Sequence, residues 1–275
     1  METLKGKPVA EEIEQRVMRQ ISSLRRKPHL KILLNPEDDA SKGYVRSLSK
    51  TGDRIGIRIT VEDLPSDPKD CRKRIEELNK DDDTDAVLIT RPLPANLKED
   101  EVLPFLDPEK DADALHPLCL GKLFSGEERL VPNTAKAIVR MLEFYRIPLQ
   151  GKKALVVGRS LSVGKPVAMM LLNRQATVTI AHSKTKNLDT ELKGYDIVIG
   201  AVGKMHLLKG SCMKEGAVAI DAGIHYTENG IYGDILPDEK LAFLSGVPGG
   251  VGPITTACLM ENVLLCYLEH HHDFQ

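Results

Sequence analysis

At 275 residues the chain is long enough for two domains of ordinary size, each with its own core. Charged residues make up 28% and the net charge is −2, so composition makes no electrostatic case for a nucleic acid or an anionic membrane surface as partner. No apolar run approaches the length of a membrane span and the N-terminus lacks the apolar core of a signal peptide, so a cytosolic protein is expected. The five cysteines, Cys71, Cys119, Cys212, Cys258 and Cys266, are widely spaced with no C-x-x-C pair, which suits reduced, mostly buried thiols. His270-His271-His272 reads as a frayed polar end rather than a metal site.

Pro8 opens a first helix in which Val9, Ile13, Val17, Ile21 and Leu24 recur about every four residues. Leu30 to Leu34 is a strand stopped by Asn35-Pro36. Ala40 to Ile55 is a second helix, ended by Gly56. A strand over 57–61, a helix from Pro68 to Asn79 and a strand over 85–90 follow, the last broken by Pro92 and Pro94. The polar stretch Asp107 to Asp113 reads as a loop, and ligands bind in loops beyond the C-terminal ends of parallel strands. Asn133 or Thr134 is the expected cap of a helix running from Ala135 to Tyr145 that joins two domains. Strands are predicted over 153–157, 176–181, 195–200 and 217–221, and a last helix from Thr255 to Leu268. Strands and helices in alternation imply α/β architecture: a smaller N-terminal parallel-sheet domain (1–120 with 254–275) and a doubly wound Rossmann domain (121–253), the last helix returning to the first.

Gly158 to Pro166 joins the strand at 153–157 to a helix start, a place where backbone N–H groups and the positive helix end converge on an anion. The G-x-G-x-x-G spacing is absent: Ser160 holds the middle position and Gly164 comes one residue late, so an ordinary strand-to-helix turn gives the same pattern. The next strand ends in His182-Ser183-Lys184, with no carboxylate before Asp189. Arg159, Ser183 and Lys184 suit a 2′-phosphate, so NADP is favoured over NAD. Val247 to Thr256 packs three glycines and two prolines into one loop that could present bare backbone to a ligand.

Together these segments resemble the methylenetetrahydrofolate dehydrogenase/methenyltetrahydrofolate cyclohydrolase family over nearly the whole chain. The signatures are Asp39-Ala40-Ser41 with Tyr44-Val45, Arg91 to Pro94, Pro108 to Asp113, Gly158-Arg159-Ser160 with Val163-Gly164, His182 to Thr185, Asp221 with Gly223, Gly233-Asp234, and Pro248 to Pro253. The resemblance implies a cytoplasmic homodimer of one-carbon metabolism that needs no metal. It further implies two lobes facing each other across a groove and the oxidation of a tetrahydrofolate derivative with NADP. Most members also hydrolyse the methenyl product to 10-formyltetrahydrofolate. By the same resemblance, Tyr44 and Asp113 are catalytic. Tyr44, Thr90, Pro92, Leu93, Asp113, Gly250 and Pro253 meet the folate, and Gly158, Arg159, Ser160, Val163, Gly164, His182, Ser183 and Ile224 meet the cofactor.

Four positions depart from the family pattern. Leu48 stands where the family places a lysine one helical turn after the tyrosine, Thr90 where it has a glutamine, Asn133 where a cysteine is common, and Ala114 where a glycine follows the aspartate. The lysine is the family's expected proton carrier in hydrolysis, and leucine cannot move a proton. Oxidation depends mainly on positioning, so the expectation is that dehydrogenation persists while hydrolysis is weak or absent. The alternatives are a fully bifunctional enzyme and a non-catalytic folate- or NADP-binding protein.

Overall fold

The structure, a computed structural model, describes residues 1–271. The strands are β1 (Glu2–Leu4), β2 (His29–Leu34), β3 (Arg58–Asp63), β4 (Ala86–Ile89), β5 (Lys153–Val157), β6 (Thr177–Ala181), β7 (Ile197–Gly200), β8 (Leu208–Lys209), β9 (Val218–Asp221), β10 (His225–Thr227), β11 (Gly230–Tyr232), β12 (Ile235–Leu236) and β13 (Phe243–Ser245). The helices are α1 (Gly6–Ile21), α2 (Asp39–Ile55), α3 (Pro68–Asn79), α4 (Glu99–Val102), α5 (Pro117–Phe124), α6 (Asn133–Phe144), α7 (Gly164–Asn173), α8 (Leu188–Glu191) and α9 (Val251–His271). The chain divides into two compact units. One comprises Met1–Glu12, Leu123–Glu128 and Pro132–Cys258; the other comprises Ile13–Lys122, Arg129–Val131 and the chain from Leu259 onward.

The second of these carries a three-stranded sheet in the order β3-β2-β4, all parallel. β2 and β4 are buried runs rich in leucine and β-branched residues, as the covered strands of a parallel sheet require, whereas the edge strand β3 is exposed or half-buried throughout. The core gathers Leu33, Ile75, Leu78, Val87, Ile89 and Leu106. On α2 the buried positions are Ser41, Val45, Leu48, Gly52 and Ile55, a stripe at helical spacing. Asp38 caps the helix by accepting from the Ser41 N–H at 2.8 Å, and Gly56 closes it in the left-handed region at φ 97°. Asp67 caps α3 by accepting from the Lys69 and Asp70 N–H groups, with Pro68 in the first turn. α9 meets α1 here through the ion pair of Arg16 with Glu261.

The first carries six parallel strands in the order β1-β13-β9-β7-β5-β6. Its core includes Leu155, Val157, Val198, Leu208, Ala219 and Ile235. α6 lies wholly within this unit, packed against α7.

Four expectations need correction. α9 begins at Val251, not Thr255, so Gly252 and Pro253 lie in its first turn, where a missing N–H costs no helical bond. Neither Asn133 nor Thr134 caps α6: the helix starts one residue after Pro132, whose carbonyl accepts from the Lys136 N–H at 2.9 Å. Val251–His271 is long and apolar enough, by length and composition, to cross a membrane, but 72% of its most apolar stretch is buried inside the protein. His270 and His271 are not frayed. Both belong to α9, and His271 Nε2 lies 2.9 Å from Asp85 Oδ1; His272 lies outside the described residues.

Asp85 is 1% exposed and is held from three sides. Arg26 meets both its oxygens at 2.7 Å, and the His29 N–H donates at 2.7 Å. Removing the carboxylate would leave a guanidinium and a buried backbone donor without it. Asp85→Ala is therefore expected to destabilise the protein by about 3 kcal/mol in urea unfolding, the low end for a broken buried pair because Arg26 is partly exposed.

Candidate active site

In the six-stranded unit the strand order reverses at β5: β6 lies on one side of it, β7 and β9 on the other. A crevice at the C-terminal ends of the strands on either side of such a reversal is the general ligand position of open parallel sheets. The register pairs Val157 with Ala181 and with Gly200, so Gly158, His182 and Ala201 leave three neighbouring strands at one level. The backbone confirms it: Gly158 N–H donates to the Ala181 carbonyl at 2.9 Å, and Ala201 N–H to that of Val157 at 2.9 Å.

Gly158 has φ 134°, and a Cβ built there would stand 2.1 Å from the Ala201 carbonyl oxygen. Only glycine fits. A Cβ on Gly164 would strike the Gly158 carbonyl oxygen at 2.3 Å, which keeps the first turn of α7 tight against the end of β5. The turn differs from expectation in one respect. The Val163 and Gly164 N–H groups are not left open: Ser160 Oγ accepts from both, at 3.1 and 3.3 Å. Ser160 thus closes the turn, and what remains for an anion is the positive end of α7 with the exposed Arg159. Ser183 and Lys184 are exposed at the end of β6, and His182 is half-buried, its Nδ1 accepting from the Lys184 N–H at 3.1 Å. Ile224, 55% exposed, follows β9 at the same edge.

Two buried aspartates brace the loops of that edge. Asp234 accepts from the N–H groups of Val202, Gly203 and Lys204 at 2.7 to 3.0 Å and lies 2.9 Å from His225 Nε2. Asp221 accepts from Gly223, Asp234 and Ile235. Burial raises the Asp221 pKa, opposed by these bonds. Gly250 is buried, with the Gly246 carbonyl oxygen where its Cβ would stand, and Pro253 is half-buried on α9. Gly250 and Pro253 belong to this unit.

In the three-stranded unit, Tyr44, Thr90, Pro92, Leu93 and Asp113 gather at the C-terminal edge of β2 and β4. Thr90 is buried, and its Oγ1 accepts from the Asn35 N–H at 3.0 Å; Asn35 Nδ2 donates to the Pro92 carbonyl at 2.9 Å. Thr90 therefore ties the β2 and β4 loops together. Pro92 is exposed and Leu93 half-buried. The Asp113 carboxylate receives Arg91 Nη1 at 2.9 Å. Tyr44 keeps 41% of its surface open, yet the low-dielectric surroundings and then the Asp113 charge hold its phenol protonated well above the usual range.

The loop bearing Asp113 is held from beneath. Lys110 is buried, its Nζ donating to the Leu78 and Asp81 carbonyls at 3.0 and 2.8 Å. Asp111, 2% exposed, accepts from the Asp113, Leu115 and His116 N–H groups. Burial and then the Asp113 charge push its carboxyl up to about 6. Ala114 follows at φ 54°, a left-handed conformation that costs an alanine about 1 kcal/mol. Leu48 is fully buried in the α2 stripe although Tyr44, one turn earlier, is open; Lys50 is exposed. In the sequence Arg91 stands only as the first residue of the Arg91–Pro94 signature; its contact with Asp113, 22 residues on, is one that only the folded loops create.

Residues 4–113 match the tetrahydrofolate dehydrogenase/cyclohydrolase catalytic domain, and residues 132–271 match the NAD(P)-binding domain of the same family. The bifunctional protein FolD of Caldanaerobacter subterraneus is 41% identical over 263 residues, 94% of each chain. Among solved structures, the bifunctional FolD methylenetetrahydrofolate dehydrogenase/cyclohydrolase of Campylobacter jejuni is 34% identical, with a TM-score of 0.94 over 98% of this chain and 99% of that one. The Trypanosoma brucei enzyme, solved with NADP cofactor and inhibitor, is 30% identical, with a TM-score of 0.91 over 97% of both chains.

Gly158 offers a direct check of the turn geometry. Gly158→Ala is expected to cost roughly 3 kcal/mol in urea unfolding, since it adds backbone strain to a clash with main-chain atoms that cannot rotate away.

Proposed function

The chain belongs to the tetrahydrofolate dehydrogenase/cyclohydrolase family, and from that premise we propose that it oxidises 5,10-methylenetetrahydrofolate to 5,10-methenyltetrahydrofolate with NADP while hydrolysing the product weakly or not at all. The observation that carries the second half is Leu48. At the position where the family pattern has its lysine stands a fully buried hydrocarbon, so no amine can move a proton there.

The other titratable groups of the cluster do not replace it. Tyr44 stays protonated far above neutral pH, so it can pack against a pterin ring and donate a hydrogen bond but cannot take a proton. Arg91 is a permanent cation, its pKa raised further by Asp113 and Glu99 against the effect of burial. Asp111 could titrate near neutrality, but its carboxylate is buried and occupied in shaping the loop. Managed proton transfer contributes roughly 10²- to 10⁴-fold to such a step, and that is the scale of the loss expected here.

Oxidation asks less of the chain. Bound NADP supplies the hydride acceptor. Asp113 is proposed to meet the adjacent N–H donors of the pterin ring, a task that two carboxylate oxygens suit. The donor set of the six-stranded unit fits a phosphorylated ribose: Arg159 and Ser183 follow strands paired in register, and no carboxylate stands between Ala181 and Asp189 to repel a phosphate. Gly158 lets the end of β5 lie directly against the Ala201 backbone, where any Cβ would clash. A homodimer in the cytosol acting on small molecules completes the proposal. The exposed β6 edge of the larger sheet, with Ile180 36% exposed, is a surface a second copy could cover.

The reading in which both activities survive is favoured by the bifunctional relatives, and it needs water or another group to handle the proton. Two spectrophotometric assays on one preparation separate the readings. NADPH is expected to appear on addition of methylenetetrahydrofolate, faster with NADP than with NAD. Methenyltetrahydrofolate is expected to decay at neutral pH no faster than in buffer; decay well above the buffer rate would restore the bifunctional reading, and no NADPH at all would leave a binding protein. Asp113→Ala is expected to lower kcat/KM for the folate by about tenfold or more, as loss of a charged hydrogen-bond partner does, and to leave the KM for NADP unchanged.

A further inference from the structure

Arg91 sits between two carboxylates. Its Nε donates to Glu99 Oε1 at 2.6 Å and its Nη1 to Asp113 Oδ2 at 2.9 Å. Its main chain is anchored as well: the Arg91 carbonyl accepts from Ser41 Oγ at 3.1 Å, on α2 three residues before Tyr44. Arg91 therefore touches the helix that carries Tyr44 and the loop that carries Asp113. Its side chain and that of Asp113 are each 27% exposed, too covered to count as a solvated surface pair.

We infer that Arg91 is a positioning residue for folate binding, holding Asp113 in its receiving orientation through the Glu99–Arg91–Asp113 chain before substrate arrives. This deepens the reading above and rests on Asp113 meeting the pterin. A carboxylate on a loop loses rotational freedom when a ligand fixes it, and a carboxylate already fixed does not incur that loss at binding. The geometry calls for arginine in particular. Two donors on one rigid plane reach two different carboxylates, which a single ammonium cannot do in the same way. A carboxylate has about four acceptor sites, so engagement at Oδ2 still allows it to receive ring N–H groups. The arrangement also leaves no proton to exchange: Arg91 brings a fixed positive charge to the site without restoring a group that could cycle a proton for hydrolysis.

The test uses the full chain with Arg91→Met, Arg91→Lys and Glu99→Gln. Arg91→Met is expected to raise the KM for methylenetetrahydrofolate about tenfold, leaving kcat within about threefold and the KM for NADP unchanged, the signature of lost ground-state binding. Arg91→Lys and Glu99→Gln are expected to fall between Arg91→Met and the parent, each keeping part of the chain of contacts. Calorimetric titration with tetrahydrofolate alone, without NADP, reads the same loss independently of turnover. A folate KM within twofold of the parent in Arg91→Met, or no partial rescue by lysine, would overturn the inference, as would parallel losses in the KM for both ligands. If the parent forms no NADPH but binds tetrahydrofolate and Arg91→Met does not, the proposed activity fails while the positioning role stands; absence of tetrahydrofolate binding by the parent overturns both.

Discussion

In a parallel sheet joined by helical crossovers, every strand ends on the same edge, and this constraint governs both units of the protein. Register then determines which loops are neighbours. Pairing of Val157 with Ala181 and Gly200 sets the Gly158 turn between the His182 and Ala201 loops. Pairing of Leu33 with Ile89 sets Asn35 beside Thr90, and the Asn35 side chain then spans to Pro92. Without in-register parallel pairing, neither group of candidate residues would exist as a group.

Both edges are rigidified by buried carboxylates that accept backbone N–H groups. Asp111 gathers three donors beneath Asp113, while Asp221 and Asp234 gather six between them at the end of the larger sheet. A carboxylate taken out of water is tolerated only where such bonds compensate it, and the compensation fixes loop backbone to within hydrogen-bond tolerance. Lys110 works in the opposite sense, using a buried ammonium to collect carbonyls. These charges shape the loops; the residues that would meet ligands, Asp113, Tyr44, Arg159 and Ser183, stand partly or wholly open above them.

The chemistry that such an edge can perform is limited by the side chains it presents. Leu48 belongs to the apolar stripe of α2 and contributes to the core of the helix face, where a hydrocarbon serves packing and cannot handle a proton. Arg91 places a cation beside Asp113, but one that cannot release a proton. On the proposed reading, the site retains what positions a folate and lacks the lysine expected to carry the proton of hydrolysis.

Much was legible in the linear chain because it depends on local physics. Apolar spacing located the main helices and buried strands, Gly56 marked the end of one helix and Pro68 the start of another, and the glycine turn with the Ser183-Lys184 strand end marked the dinucleotide edge. The start of α9 was misplaced because proline and glycine punctuate loops and also sit without penalty in a first helical turn, two roles that local sequence does not distinguish. Only the tertiary structure decided that Ser160 occupies the donors of its own turn, that His271 is tied to Asp85, and that Arg91 clamps Asp113. Those contacts depend on the distances between folded side chains, and distance across a fold is set by packing, which no pattern of neighbours along the chain records.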